Sequence, residues 1–160
     1  MKLLRTLNRL KDPRDLWLFL QLLSTLILLP RRIRRHSLPD LLKLMDPGIG
    51  TGQKDSLTLG KTVGFVDSLL KYRVFRRYGK CLLRSLLLFR YLRRQGWPVE
   101  IHFGVRRMGN EAASGLPDEP PEATSDFDIM GHSWLVLEGE PFLEASAPHA
   151  YSETFCYPED

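Results

Sequence analysis

Apolar positions follow two regimes along this chain: helical spacing up to about residue 95, and alternation beyond it. The densest helical stretch begins at Cys81-Leu82, with apolar residues recurring at Leu83, Leu86, Leu87, Phe89, Tyr91 and Leu92. Gly79 breaks the preceding segment and Gln95-Gly96-Trp97-Pro98 supplies the stop, so one amphipathic helix is predicted between them. Upstream, a basic, leucine-spaced segment from Met1 to Arg14 leads into Leu16 to Leu29, a run that is apolar nearly all round. Pro30 and four arginines (Arg31, Arg32, Arg34 and Arg35) follow directly, with no small-residue cleavage site of a secretory signal. A short helix is predicted around Asp40 to Met45, ending at Asp46-Pro47-Gly48, with a loop to Gln53. A further helix from about Thr62 to Arg77 would bury Val63, Val66, Leu69, Leu70 and Val74.

After Pro98 the period falls to two. Val99, Ile101, Phe103 and Val105 alternate with Glu100, His102 and Gly104, which predicts a strand with one wet face and His102 on it. Residues 108–129 are acidic and rich in Gly, Pro and Ser, and read as a long loop. A strand from Ile129 to Leu137 follows, then a turn at Gly139 into Pro141 to Ala145. A last segment, Tyr151 to Tyr157, would add an edge strand with Tyr151, Glu153 and Phe155 on one face. Helices first and a strand meander after them is the α+β pattern. It divides the chain into a basic, apolar helical region at 1–55 and a mixed domain at 56–160.

Composition, 43% hydrophobic and 26% charged over 160 residues, is ordinary for a globular chain. Charge changes the picture more. All 23 lysines and arginines lie in residues 1–107 with 7 of the 19 acids, a net +16, while residues 108–160 hold the other 12 acids, a net −12. The basic part is either a set of solvated helix faces or a surface that meets a partner. Nucleic acid is not the expected partner, since no stacking aromatic array interleaves the arginines. The Leu16 to Leu29 run is shorter than the roughly 20 apolar residues that span a bilayer. Its destinations are a buried core position, peripheral contact of residues 16–35 with an anionic membrane, or docking on another protein. Two cysteines, Cys81 and Cys156, with no zinc-ligand spacing, point to a reduced, cytoplasmic protein without metal or other cofactor.

Cys81 falls in the first turn of its helix, where unpaired N–H groups and the helix dipole favour thiolate, and Lys80 and Arg84 add positive charge. Such a cysteine is either a small buried hydrophobe or a nucleophile. The later strands supply what a nucleophile needs: His132 as base and Glu144 to orient it. Directly opposed residues of an antiparallel pair share a face, so an even loop would put His132 and Glu144 on opposite faces, and the triad demands an odd loop, such as Glu138-Gly139-Glu140. Cys156, outside both stretches, reads as packing.

Cys81-Leu82-Leu83-Arg84-Ser85-Leu86, Leu92-Arg93-Arg94-Gln95-Gly96-Trp97-Pro98, Gly104-Val105, and His132-Ser133-Trp134 with Glu138-Gly139 and Pro141 resemble the transglutaminase-like leader peptidases of lasso-peptide biosynthesis, in their stand-alone form. The resemblance covers about residues 60–157. It implies a papain-like, transglutaminase-like core with N-terminal helices, and a Cys81, His132, Glu144 triad. That triad would cleave the leader from a ribosomally made precursor peptide through an acyl-thioester. It further implies a separate leader-recognition protein and an ATP-dependent lasso cyclase as partners. The family usually carries aspartate where this chain has Glu144, and commonly alanine where it has Ser133. Other readings of the same fold are a general thiol amidohydrolase or acyl transferase, and a non-catalytic peptide-binding module.

Overall fold

The computed structural model describes residues 12–52, 54–72, 75, 78–107, 129–144 and 150–158. The acidic stretch 108–128, Val74 and Ala145 therefore lie outside the described residues. Among the described residues, four helices precede a four-stranded antiparallel sheet, the α+β order that the pattern predicts: α1 Pro13–Arg35, α2 Leu38–Met45, α3 Ser56–Leu70, α4 Lys80–Arg94, then β1 Glu100–Arg107, β2 Ile129–Leu137, β3 Glu140–Phe142 and β4 Ser152–Tyr157. The sheet order is β3-β2-β1-β4.

Helix α1 starts where Asp12 accepts from the Arg14 N–H at 2.9 Å, with Pro13 pre-set in the first turn. It does not stop with the apolar run Leu16 to Leu29. It runs through Pro30 to Arg35, although an interior proline costs about 3 kcal/mol. Burial offsets that cost, since Leu22, Leu26 and Leu29 are fully buried and Ile33, beyond the proline, still packs on the core. The helix is consequently 23 residues long, and by length and composition it could cross a membrane. Its outward side keeps Leu16, Trp17, Leu20, Ile27 and Leu28 exposed.

Helix α3 begins six residues before the expected Thr62. Asp55 caps it, accepting from the N–H groups of Leu57 and Thr58 at 3.0 Å each and from the Thr58 hydroxyl at 2.6 Å. It stops at Leu70, short of the expected Arg77. One apolar cluster joins these helices to the sheet, running from Leu22, Leu26 and Leu29 through Leu42, Met45, Val66 and Leu70 to the α4 leucines, Ile101 and Leu135.

Between the sheet and α4 the Ser85 hydroxyl donates to the buried Ser133 carbonyl at 2.9 Å. This bond helps fix the first turns of α4 against the strand that carries His132. At the far edge, β4 pairs with β1 with a register shift between Phe103 and Gly104. Thr154 is the extra residue, so Glu153 and Phe155 fall on opposite faces rather than the one face the alternation predicts. Phe155 packs against the core, while Glu153 meets His102.

Candidate active site

Gly79, at φ 77°, occupies the N-cap of α4 without a capping side chain, and no acid stands in the first turn. Cys81 is the second helical residue, so its sulfur lies beside unpaired backbone N–H groups at the positive end of the helix. Burial pushes the thiol up. The hydrogen bond and charge of His132, together with the backbone N–H groups of Leu82 and Ser133, outweigh burial and hold Cys81 below the ordinary thiol range. For His132 the contact with Cys81 comes first and that with Glu144 second, and against the cost of burial they push the imidazole up to about 9. A raised histidine beside a lowered cysteine has the signs that favour proton transfer from thiol to imidazole.

His132 stands on β2 opposite Gly104 of β1. A Cβ at Gly104 would lie 2.9 Å from Trp134 Cη2 and 2.9 Å from the Ser152 carbonyl, so only glycine lets the indole lie flat there. Trp134 and Tyr151 then stack against the imidazole at centroid distances of 6.0 and 4.9 Å. These rings hold its plane.

Glu144 reaches the same place by a route that differs from the expected one. The loop between β2 and β3 is the two-residue Glu138-Gly139, both at positive φ (54° and 83°), the geometry of a type I′ hairpin turn. The register Leu137↔Glu140, Val136↔Pro141, Leu135↔Phe142 therefore corrects the odd loop, and continued to 144 it would put the carboxylate on the face away from His132. Strand β3 ends at Phe142 instead, and Leu143 turns into the left-handed region at φ 61°. That turn returns Glu144 to the site, with its Oε2 3.5 Å from His132 Nε2 and its side chain only 10% exposed. A leucine there costs roughly 1–2 kcal/mol of local strain. With Nε2 turned to Glu144, Nδ1 is the nitrogen left for the Cys81 sulfur. At 3.5 Å the Nε2–Oε2 approach is longer than a good hydrogen bond, and Nε2 has no partner at hydrogen-bond geometry among the described residues.

Arg84, expected to add positive charge beside the thiol, directs its hydrogen bonds elsewhere. Its guanidinium turns to Asp67 and to the Leu143–Glu144 corner. Sequence reasoning also missed Tyr151, whose approach to His132 depends on the placement of β4 and leaves no periodic signal. His102 lies outside the group: it sits between Glu153 (2.8 Å) and Glu100 (3.1 Å), on the far side of Trp134. Cys156 is opposite His102 on β4, with β1 between it and the strand of His132. Cys156→Ser is therefore expected to leave thiol reactivity at Cys81 unchanged, as read by mass-resolved alkylation.

A family model of the transglutaminase-like superfamily matches residues 23–114. The chain belongs to that superfamily. Among curated proteins and solved structures, nothing matches it. The transglutaminase-like match takes in α1 from Leu23 through β1, and with it Cys81, Arg84 and Ser85, but ends before His132 and Glu144. Those two join through packing: β2 pairs along β1 and is fastened to α4 by Ser85.

Ser133 departs from the alanine common in the transglutaminase-like peptidases that the motifs resemble. Its hydroxyl is buried and has no hydrogen-bond partner among the described residues, although its carbonyl accepts from Ser85. A buried hydroxyl without a partner costs about 1 kcal/mol or more. Ser133→Ala is accordingly expected to raise the melting temperature by about 2–4 °C with reactivity at Cys81 retained, measured by thermal denaturation and alkylation.

Proposed function

We propose that the chain is a thiol peptidase that removes the leader from a lasso-type precursor peptide, with Cys81 as nucleophile, His132 as acid and base, and Glu144 as the group that orients the imidazole. The observation that carries the reading is the meeting of these three side chains from three separate elements, with the proton affinities of Cys81 and His132 moved in opposite directions. The thiolate attacks the scissile carbonyl, and the C–N bond breaks as imidazolium gives its proton to the departing amine. Water then loses a proton to the neutral imidazole, attacks the thioester and releases the new carboxylate and the thiolate. The leader specificity rests on the motif resemblance around Cys81 and His132.

Such a peptidase would work beside a separate leader-recognition protein and an ATP-dependent cyclase. The outward side of α1 is a fitting dock, since its apolar stripe from Leu16 to Leu28 ends in exposed Arg31, Arg34 and Arg35. Truncating residues 1–35 would remove Leu22, Leu26 and Leu29 from the core, so the stripe is better tested by Trp17→Glu with Ile27→Glu. The experiment combines the purified chain, a precursor peptide and a leader-recognition protein, with products read by mass spectrometry. A single cut between leader and core is expected, lost in Cys81→Ala. The stripe variant should bind the recognition protein more weakly, and binding should fall as salt rises from about 50 to about 500 mM, because the Debye length shrinks from about 14 to about 4 Å. A reactive Cys81 that leaves the precursor intact but passes an acyl group to an added amine would instead assign the chain to acyl transfer.

A further inference from the structure

Arg84 joins three elements at one guanidinium. Its Nε donates to Asp67 Oδ1 on α3 at 2.9 Å, its Nη1 donates to the Leu143 carbonyl at 3.0 Å, and the same Nη1 lies 3.6 Å from Glu144 Oε1. Glu144 is thus held between two cations, Arg84 on one oxygen and His132 on the other at 3.5 Å. The Leu143 contact is the informative one. Leu143 is the residue whose positive φ turns Glu144 out of the β3 register and back to the site, in a conformation that side chains with a Cβ disfavour. A charged donor on its carbonyl stabilises that turn where it has to be made.

We infer that Arg84 is a positioning residue for the histidine, fixing the Leu143 turn and the aim of the Glu144 carboxylate from a point one helical turn along from Cys81. Because the guanidinium offers several donors in a rigid plane, it serves Asp67 and the Leu143–Glu144 corner at once, which a lysine ammonium on its flexible stem does not. The inference rests on the proposed roles of Cys81, His132 and Glu144, and it concerns their geometry, not the identity of the peptide.

Charge and position have opposite signs here. The groups that face His132 and Glu144 are Cys81 and Arg84 on α4 and Tyr151 before β4, with Asp67 of α3 behind Arg84 and Arg106 of β1 over the Tyr151 ring at 5.3 Å. Removing a cation beside Glu144 would, by charge alone, strengthen the carboxylate's hold on imidazolium and so favour thiolate at Cys81. Losing the aim of the carboxylate does the reverse.

The test is the pH dependence of iodoacetamide alkylation at Cys81 in the full chain, which needs no substrate, with folding followed by circular dichroism. Arg84→Lys keeps the charge and loses the planar fork, and Asp67→Asn leaves the arginine in place while loosening its anchor at a partly exposed position. Both are expected to stay folded and to move the thiolate titration upward, Arg84→Lys by about one pH unit, so that alkylation on the acid side of the titration falls about tenfold. Asp67→Asn should give a smaller shift of the same sign. A folded Arg84→Lys or Asp67→Asn protein with the wild-type profile, or one shifted downward, would overturn the inference. Glu144→Gln measured alongside separates the two levels: if it too leaves the profile unmoved, the orienting role of Glu144 has failed, whereas a shift there without one in Arg84→Lys dismisses Arg84 alone.

Discussion

Replacing Cys81 by alanine is expected to reduce turnover on the order of 10⁴-fold or more with the fold intact, and His132→Ala should do nearly the same, since the members of such a unit act together. Both side chains sit at the rim of the core and neither belongs to the buried cluster, so the loss should not come from unfolding. The two variants differ in one measurable respect. In the wild type His132 holds the thiol below its ordinary range, so thiolate absorbance near 240 nm should appear at a lower pH than it does for an ordinary thiol. His132→Ala removes the hydrogen bond and charge that oppose burial, so the thiol moves up and the band should appear only at a higher pH than in the wild type. The rate of the wild-type enzyme should rise on the acid side as Cys81 deprotonates and fall on the alkaline side near about 9, where His132 loses the proton that the departing amine requires. Retention of more than about a hundredth of the activity in Cys81→Ala would exclude nucleophilic catalysis at this residue.

Residues whose placement follows from local pattern were legible in the sequence, and those placed by tertiary contact were not. Helix α4 carries dense helical spacing between Gly79 and Gly96, and β2 a continuous apolar run ended by the turn at Gly139, so Cys81 in a first turn and His132 on a strand could be read directly. The continuation of α1 past Pro30 could not, because a proline reads as a stop and only the burial of Leu22, Leu26 and Leu29 outweighs it. The early start of α3 was hidden for another reason. Ser56 to Lys61 has weak apolar spacing and a glycine at position 60, and the Asp55 cap rather than hydrophobic burial makes its first turn. An odd loop follows from strand geometry only where β3 persists to residue 144, and β3 ends at Phe142. A leucine carries no sign of positive φ, and the turn at Leu143 exists where Arg84 and the end of the sheet make it worth its strain. The need for a carboxylate beside the imidazole pointed to Glu144, but the register that led there was wrong.

That turn also decides what should happen when Glu144 is changed. Glu144→Gln keeps shape and removes charge. The amide no longer stabilises imidazolium, so a loss of about 10²- to 10⁴-fold is expected with little change in stability. The superfamily resemblance, with aspartate as the usual residue, implies on its own that Glu144→Asp keeps or even raises activity. The geometry argues otherwise. Glutamate already stands 3.5 Å from His132 Nε2 and 3.6 Å from Arg84, and aspartate would draw the carboxylate back by about 1.5 Å, one carbon–carbon bond, from a backbone that the Arg84–Leu143 bond holds in place. Charge would survive while contact is lost, and misplacement of about 1 Å can itself cost on the order of 10²-fold. The expected order of rates is therefore the wild type first, Glu144→Asp well below it, and Glu144→Gln last. Equal rates for the wild type and Glu144→Asp would mean that the backbone at Leu143 follows the carboxylate instead of fixing it, and equal rates for all three proteins would remove Glu144 from the site.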